Sequence, residues 1–341
     1  MQLPRARGPL SSAVVGRLGG SVTRLDPDAI DGLPDDVLRD DDFQLALWTL
    51  YELHYRGFDD LAEDPTDDPA DDLEWTPDVL AFRRALEETF EAALRALVPA
   101  IDRSDRPFVD RLLEVIEGGE GPSLASYVQR EATTEQVREL MAQRSVYHLK
   151  ESDPHSWAIP RVDDGTKAAL VELQYDEYGA GRADRVHATL FANLLDALDL
   201  DSSYGAHLDR APGYALAENN MMSLFGLHRR LRGASMGHLA AFESTSSLPC
   251  RRYAQGIRRL GLPDAVAEYY DEHVEADAVH EQVAVRDVCG RLVAAAPELE
   301  DDVLFGAAAY VKVEEIVATS VLEAWSRGES CLRPEQIGAV A

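Results

Sequence analysis

Apolar residues recur at helical spacing through almost the whole chain, while alternating β-branched runs are nearly absent. That periodicity constrains the chain more than any other feature, and it predicts an all-α fold. Residues 40–54 (DDDFQLALWTLYELH) open on acids and then repeat apolar positions, as a helix start requires. Further helices are expected over 78–98, from 105–107 to 118, and over 134–148, 166–178, 182–198 and 212–244. Two more are expected over 264–296 and 301–327. The Asp- and Pro-rich stretch 59–77 reads as an acidic loop, and residues 1–20 as a loose tail without the apolar run of a signal peptide.

The Gly- and Pro-rich break at 118–122, followed by the Thr133-Thr134-Glu135 helix start, is the best domain boundary. It divides an N-terminal helical region, 1–132, from a second region, 133–341. Phe43, Leu47, Leu50 and Leu53 form an apolar stripe in the first region. The stripe suggests a homodimer face; burial against the same chain is the alternative. The net charge of −29 argues against nucleic acid or an anionic membrane as partner. No run of 18 apolar residues offers a membrane span. Cys250, Cys289 and Cys331 are scattered and odd in number, which suits a reducing cytoplasm and disfavours a thiolate zinc site.

Three segments carry chemistry. In 269–281 (YYDEHVEADAVHE), His273, Asp277 and His280 are four and then three residues apart, on one stripe of a helix. Two imidazoles and a carboxylate there make a partial shell for a divalent metal, although an acidic solvated face has the same letters. In 174–191 (QYDEYGAGRADRVHATLF), Glu177 and His187 flank two glycines. On a straight helix they would stand about 80° apart, so Gly179 and Gly181 must re-aim them; Asp176 and Asp184 are rivals. In 240–247 (AAFESTSS), Glu243 is a lone acid on a small, apolar helix side, which burial permits only beside a cation.

Together, the spacing of Glu177, His187, Glu243, His273, Asp277 and His280 and the wording YDEYG and EHVEAD resemble the haem-oxygenase-like di-iron oxidases, within the group called iron-containing redox enzymes. The resemblance runs from about Thr133 to the C-terminus. It implies a haem-oxygenase-like helical bundle, with 1–132 as the accessory helical domain through which some members dimerise. It implies that Glu177 and His187 bind one iron, that Glu243 bridges or chelates, and that His273, Asp277 and His280 complete the second position. Some relatives use one more carboxylate during oxygen activation; the matching residue is Glu151, in KESDPHSW, which equally suits a surface turn. His155 is a weaker case. His54, His148, His207, His228 and His238 are structural on this reading, and Tyr270 is a core aromatic that could reach the site.

The expected cofactors are two iron ions, the second weakly bound, with O2 as cosubstrate and an external reductant. The expected substrate is a small organic molecule, amino-acid-like or an aliphatic acid, undergoing N-oxygenation, hydroxylation or oxidative C–C cleavage. Mixed imidazole and carboxylate donors suit iron, manganese or zinc rather than magnesium or calcium. A helical metal-dependent hydrolase is the rival enzyme class, but the chain has no adjacent His-Asp pair. A non-catalytic iron-binding protein of ferritin type would want repeated Glu-x-x-His pairs, which are missing.

Overall fold

Side chains at the helix starts decide where elements begin. In the computed structural model, which describes residues 1–30, 32–61, 73–101 and 104–334 without the side chains of 275–279, every regular element is helical. The N-terminal helices are α1 (Pro9–Leu18), α2 (Asp41–Glu52), α3 (Pro77–Leu97) and α4 (Phe108–Glu117). There follow α5 (Leu124–Arg130), α6 (Thr134–His148), α7 (Asp164–Glu177), α8 (His187–Ala197) and α9 (Gly213–Leu227). The chain then forms α10 (Arg232–Ser244), α11 (Ser247–Arg259) and α12 (Asp264–Gln282). A π-helical stretch, Val283–Gly290, and a last turn, Arg291–Ala295, prolong α12 before α13 (Glu300–Ser326).

Asp40 caps α2 by accepting from the Phe43 amide at 2.7 Å, and Thr133 with Gln136 closes a reciprocal cap on α6. The expected loose tail contains α1 instead. Its first amides, Leu10 and Ser11, donate to the carboxylate of Asp42 on α2 at 2.9 and 2.8 Å. Asp42 thus adds a cap from a different helix to the local start signals, Pro9 and Ser11, the latter accepting from the Gly8 amide at 3.2 Å. The helix expected over 182–198 starts only at His187: Gly179, Ala180 and Gly181 take left-handed φ (74°, 52° and 81°), and then Arg182 (ψ 113°) and Val186 (ψ 130°) leave the helical region on either side of a short turn, Ala183–Arg185. The one expected over 212–244 is two, broken after Leu227. Most of the expected acidic loop, 62–72, lies outside the described residues.

The stripe Phe43, Leu47, Leu50 and Leu53 is buried within the chain, in a core shared with Leu216, Leu224 and Phe305. This was the alternative to a dimer face, and α2 presents no apolar side to a second copy. Core continuity joins the N-terminal helices to the later ones. A second apolar cluster lies among α6, α8, α11, α12 and the end of α13, around Leu140, Phe191, Ile257, Tyr270 and Val321. Helices α10 and α13 touch backbone to backbone: a Cβ on Gly237 would overlap the Val303 carbonyl, and one on Gly306 the Ala234 carbonyl. No helix among the described residues is long and apolar enough to cross a membrane.

Candidate metal centre

Helix α6 ends at His148, and the next residues turn sharply, with Ser152 left-handed at φ 69°. For a non-glycine residue that conformation costs about 1–2 kcal/mol. The turn sends Glu151 inward, where it is 4% exposed. Its neighbour Lys150 is pinned: its ammonium lies 3.1 Å from Glu52 of α2 and over the rings of Tyr55 and Trp48, at 4.2 and 4.9 Å. Tyr204 donates its hydroxyl to the same Glu52 carboxylate at 2.8 Å. Glu177 closes α7, the glycine turn reverses the chain, and His187 opens α8. Glu243 comes from α10, and His273 and His280 from one side of α12.

These elements bring two groups of buried donors together. One atom each from Glu151, His187 and His273 lie within 4.8 Å of one another, and so do atoms from Glu177, Glu243 and His280. Glu177 touches both groups: one oxygen is 2.9 Å from His187 Nδ1, the other 3.9 Å from His280 Nδ1. Glu243 Oε2 is 3.5 Å from the same His280 nitrogen, and Glu151 Oε1 is 3.7 Å from His273 Nε2. The grouping differs from that drawn from the resemblance, which paired Glu177 with His187 and placed His273 beside His280. Glu151, which suited a surface turn equally well, is central. The side chain of Asp277 lies outside the described residues. Of the rivals, Asp184 is exposed and 3.9 Å from Arg182. Asp176 sits behind His280, 3.2 Å from Nε2.

Outer contacts fix how the imidazoles point. The Tyr269 carbonyl, 2.7 Å from His273 Nδ1, can only accept, so Nδ1 carries a proton and Nε2 is the nitrogen turned toward Glu151. Asp176 likewise draws the Nε2 proton of His280 and leaves Nδ1 facing Glu243. The Tyr269 hydroxyl donates to Glu151 at 2.9 Å, His148 Nδ1 lies 3.1 Å from it, and Ser152 donates to Glu177 at 2.9 Å. Sequence reasoning missed these supports, yet Tyr269 was findable: it is four residues before His273, on the same stripe. Tyr270, one residue further round, donates to Met141 instead. His155 and His238 are buried and 3.2 Å apart, in neither donor group, and burial lowers His155 to about 4. His54 and His228 serve Glu74 and Glu87, at 2.7 and 2.9 Å.

Electrostatics fit a cationic occupant. Burial pushes Glu243 up, with the charge of Glu177 adding to it. Burial would do the same to Glu151, but His148 and His273 outweigh it and hold that carboxyl well below the usual range. Burial opposes a charge on His280, yet Glu243, Asp176 and Glu177 raise it to about 9. Protons on imidazoles thus balance the carboxylates when nothing else does. The Nδ1 atoms of His187 and His280 are buried and face carboxylate oxygens of Glu177 and Glu243, at 2.9 and 3.5 Å. Three carboxylates and three imidazoles, without thiolate, match two divalent transition-metal ions.

A family model described as "Iron-containing redox enzyme" matches residues 138–315. Nitrosourea synthase of Streptomyces achromogenes is 29% identical over 147 residues, covering 43% of this chain and 31% of that protein, so the chain spans about a third of its length. The 4-chloro-allylglycine synthase of Streptantibioticus cattleyicolor is 25% identical over 200 residues, 56% of this chain and 74% of the relative. A crystal structure of a CADD-like protein of unknown function from Nostoc punctiforme matches with TM-score 0.46 at 15% identity, over 70% of this chain and 97% of the other.

Proposed function

Because the chain belongs to the iron-containing redox enzyme family, we propose that it holds two iron ions and uses them to activate dioxygen for the oxidation of a small, amino-acid-like substrate. The observation that carries this reading is the pair of buried three-donor groups. Glu151, His187 and His273 would hold one ion, and Glu177, Glu243 and His280 the other, with Glu177 within reach of both. Two ferrous ions held there would supply electrons for dioxygen, with an external reductant to restore them. Tyr269 and His148 hold Glu151 in place, while Asp176 and the Tyr269 carbonyl fix the ring faces of His280 and His273. A proton must leave His280 before a metal can use its Nδ1, and His187, raised by Glu177, poses the same requirement in the other group. Since 4-chloro-allylglycine is an amino acid, an amino-acid-like substrate is preferred over a plain aliphatic acid. N-oxygenation, hydroxylation and oxidative C–C cleavage are all within reach of such a centre.

The test loads metal-free protein with ferrous iron under anaerobic conditions and then admits oxygen. Two ions per chain and oxygen consumption that depends on iron are expected. A single, tightly held zinc ion with no oxygen uptake would overturn the proposal in favour of hydrolytic chemistry.

A further inference from the structure

Helix α11 runs against the charge of the chain that contains it. The protein has 62 acidic residues against 33 lysines and arginines, yet the 13 residues of α11 hold four arginines and no acid. Helical spacing puts Leu248, Arg251, Gln255, Arg258 and Arg259 on its exposed side. Arg258 is engaged by Asp271 of α12, and Arg259 donates to the carbonyls of Val128, Gln129 and Ala132 beside the end of α5. Arg251 and Arg252 are not claimed in this way. Among the described residues, no carboxylate lies at ion-pair distance from either, and Arg252 reaches the Ser123 hydroxyl at 3.5 Å. Leu248 beside them is 54% exposed. An exposed apolar side chain next to unclaimed guanidinium groups has the composition of a contact surface.

The buried side of the same helix leads to the candidate metal centre. Tyr253 of α11 packs on Tyr270 of α12, with ring centres 5.1 Å apart, and Tyr270 packs on Tyr269 at 5.2 Å. All three rings are buried. The Tyr269 hydroxyl then donates to Glu151 of the first donor group at 2.9 Å. Three packed rings therefore join the basic helix to a candidate metal ligand.

We propose that the exposed side of α11 is the docking surface for the reductant of this centre, a small acidic protein that carries single electrons. A chain of net charge −29 repels an acidic partner except where positive charge is gathered, so α11 selects both the partner and its orientation. Each encounter oxidises the carrier by one electron, and two encounters return two ferric ions to the ferrous state. Brief, salt-sensitive contact suits such traffic. The need for a reductant rests on the functional reading above, but the docking itself needs no metal.

Calorimetry on the full-length, metal-free protein tests it, with an acidic plant-type 2Fe–2S ferredoxin as the probe. Binding should weaken by about ten-fold or more when salt is raised, and by a similar factor in Arg251→Glu/Arg252→Glu. Arg84→Glu/Arg229→Glu, the same charge change on exposed arginines of other elements, should cost far less. In the oxidised, iron-loaded protein, the α11 reversal should slow reduction by ferredoxin in stopped-flow absorbance and leave reduction by dithionite unchanged. Equal losses in the two double variants, or ferredoxin binding that ignores salt, would overturn the surface. An oligonucleotide of similar charge that binds α11 as tightly would also overturn it, as would a dimer that the α11 reversal splits. The face would then serve polyanions in general, or a second copy of the chain. Protein that takes up two ferrous ions and consumes oxygen but binds no ferredoxin overturns the surface and keeps the functional reading. Protein that binds ferredoxin through α11 but takes up no iron does the reverse.

Discussion

At the scale of single residues, the metal-free site is held together by protons that a metal must displace. With His280 raised to about 9, its charge stabilises the metal-free fold below the ordinary histidine value near 6.5. That contribution is lost as pH climbs through about 9. Metal uptake should run the other way and strengthen with pH up to about 9. Calorimetric titration in buffers of different ionisation heat should therefore show proton release near neutral pH; zero release would remove His280 as a donor. Glu151→Gln should reduce ferrous stoichiometry from two to one. Tyr269→Phe should keep both ions but weaken the first group about ten-fold, as loss of an outer contact does. Unchanged stoichiometry in Glu151→Gln would return that acid to a purely structural role. How much of this was legible depends on distance along the chain. His273 and His280 share a helix, so spacing alone put them on one face. Glu151 could not be placed that way, since its inward course follows from a left-handed Ser152 and an ion pair with Glu52, 98 residues before Lys150.

At the scale of elements, helix interiors could be read and their ends often could not. Helix α6 was legible to the residue because its cap is local, Thr133 with Gln136. Helix α1 was missed although Pro9 and Ser11 mark its start, and what the sequence could not show is that Asp42 of α2 completes its cap. For α8 the periodicity extended back to residue 182, but the non-helical backbone of Arg182 and Val186 postpones the start until His187. That delay puts a histidine in the first turn of α8, opposite Glu177, as the two glycines had suggested. Close packing could not be read from one helix at all, since it needs both partners. Gly237→Ala should force α10 from α13 and destabilise the fold by about 1–3 kcal/mol, lowering the melting temperature by several degrees. Because Glu243 rides on α10, iron affinity should fall with it. A variant melting like the wild type would show that the helices part without cost.

At the scale of the whole molecule, a continuous core ties residues before 132 to those after it. The sequence break at 118–122 is real as a turn between α4 and α5, but it does not mark the edge of that core. A chain beginning at Ala132 would bare Leu216, Leu224 and Phe305, and should show no cooperative thermal transition in circular dichroism. A sharp melt from that fragment would contradict the shared core. The ion pair between Glu52 and Lys150 gives this union a further meaning. Synthesis runs from the N-terminus, so Glu52 has left the ribosome well before Lys150 emerges. Lys150 can be seated only once α2 has docked, and Glu151 is its immediate neighbour. The position of a candidate metal ligand thus depends on a partner that stands 98 residues before its neighbour Lys150. A chain cut before α12 would lack His273 and His280, so both donor groups need the later half of the sequence as well as its beginning.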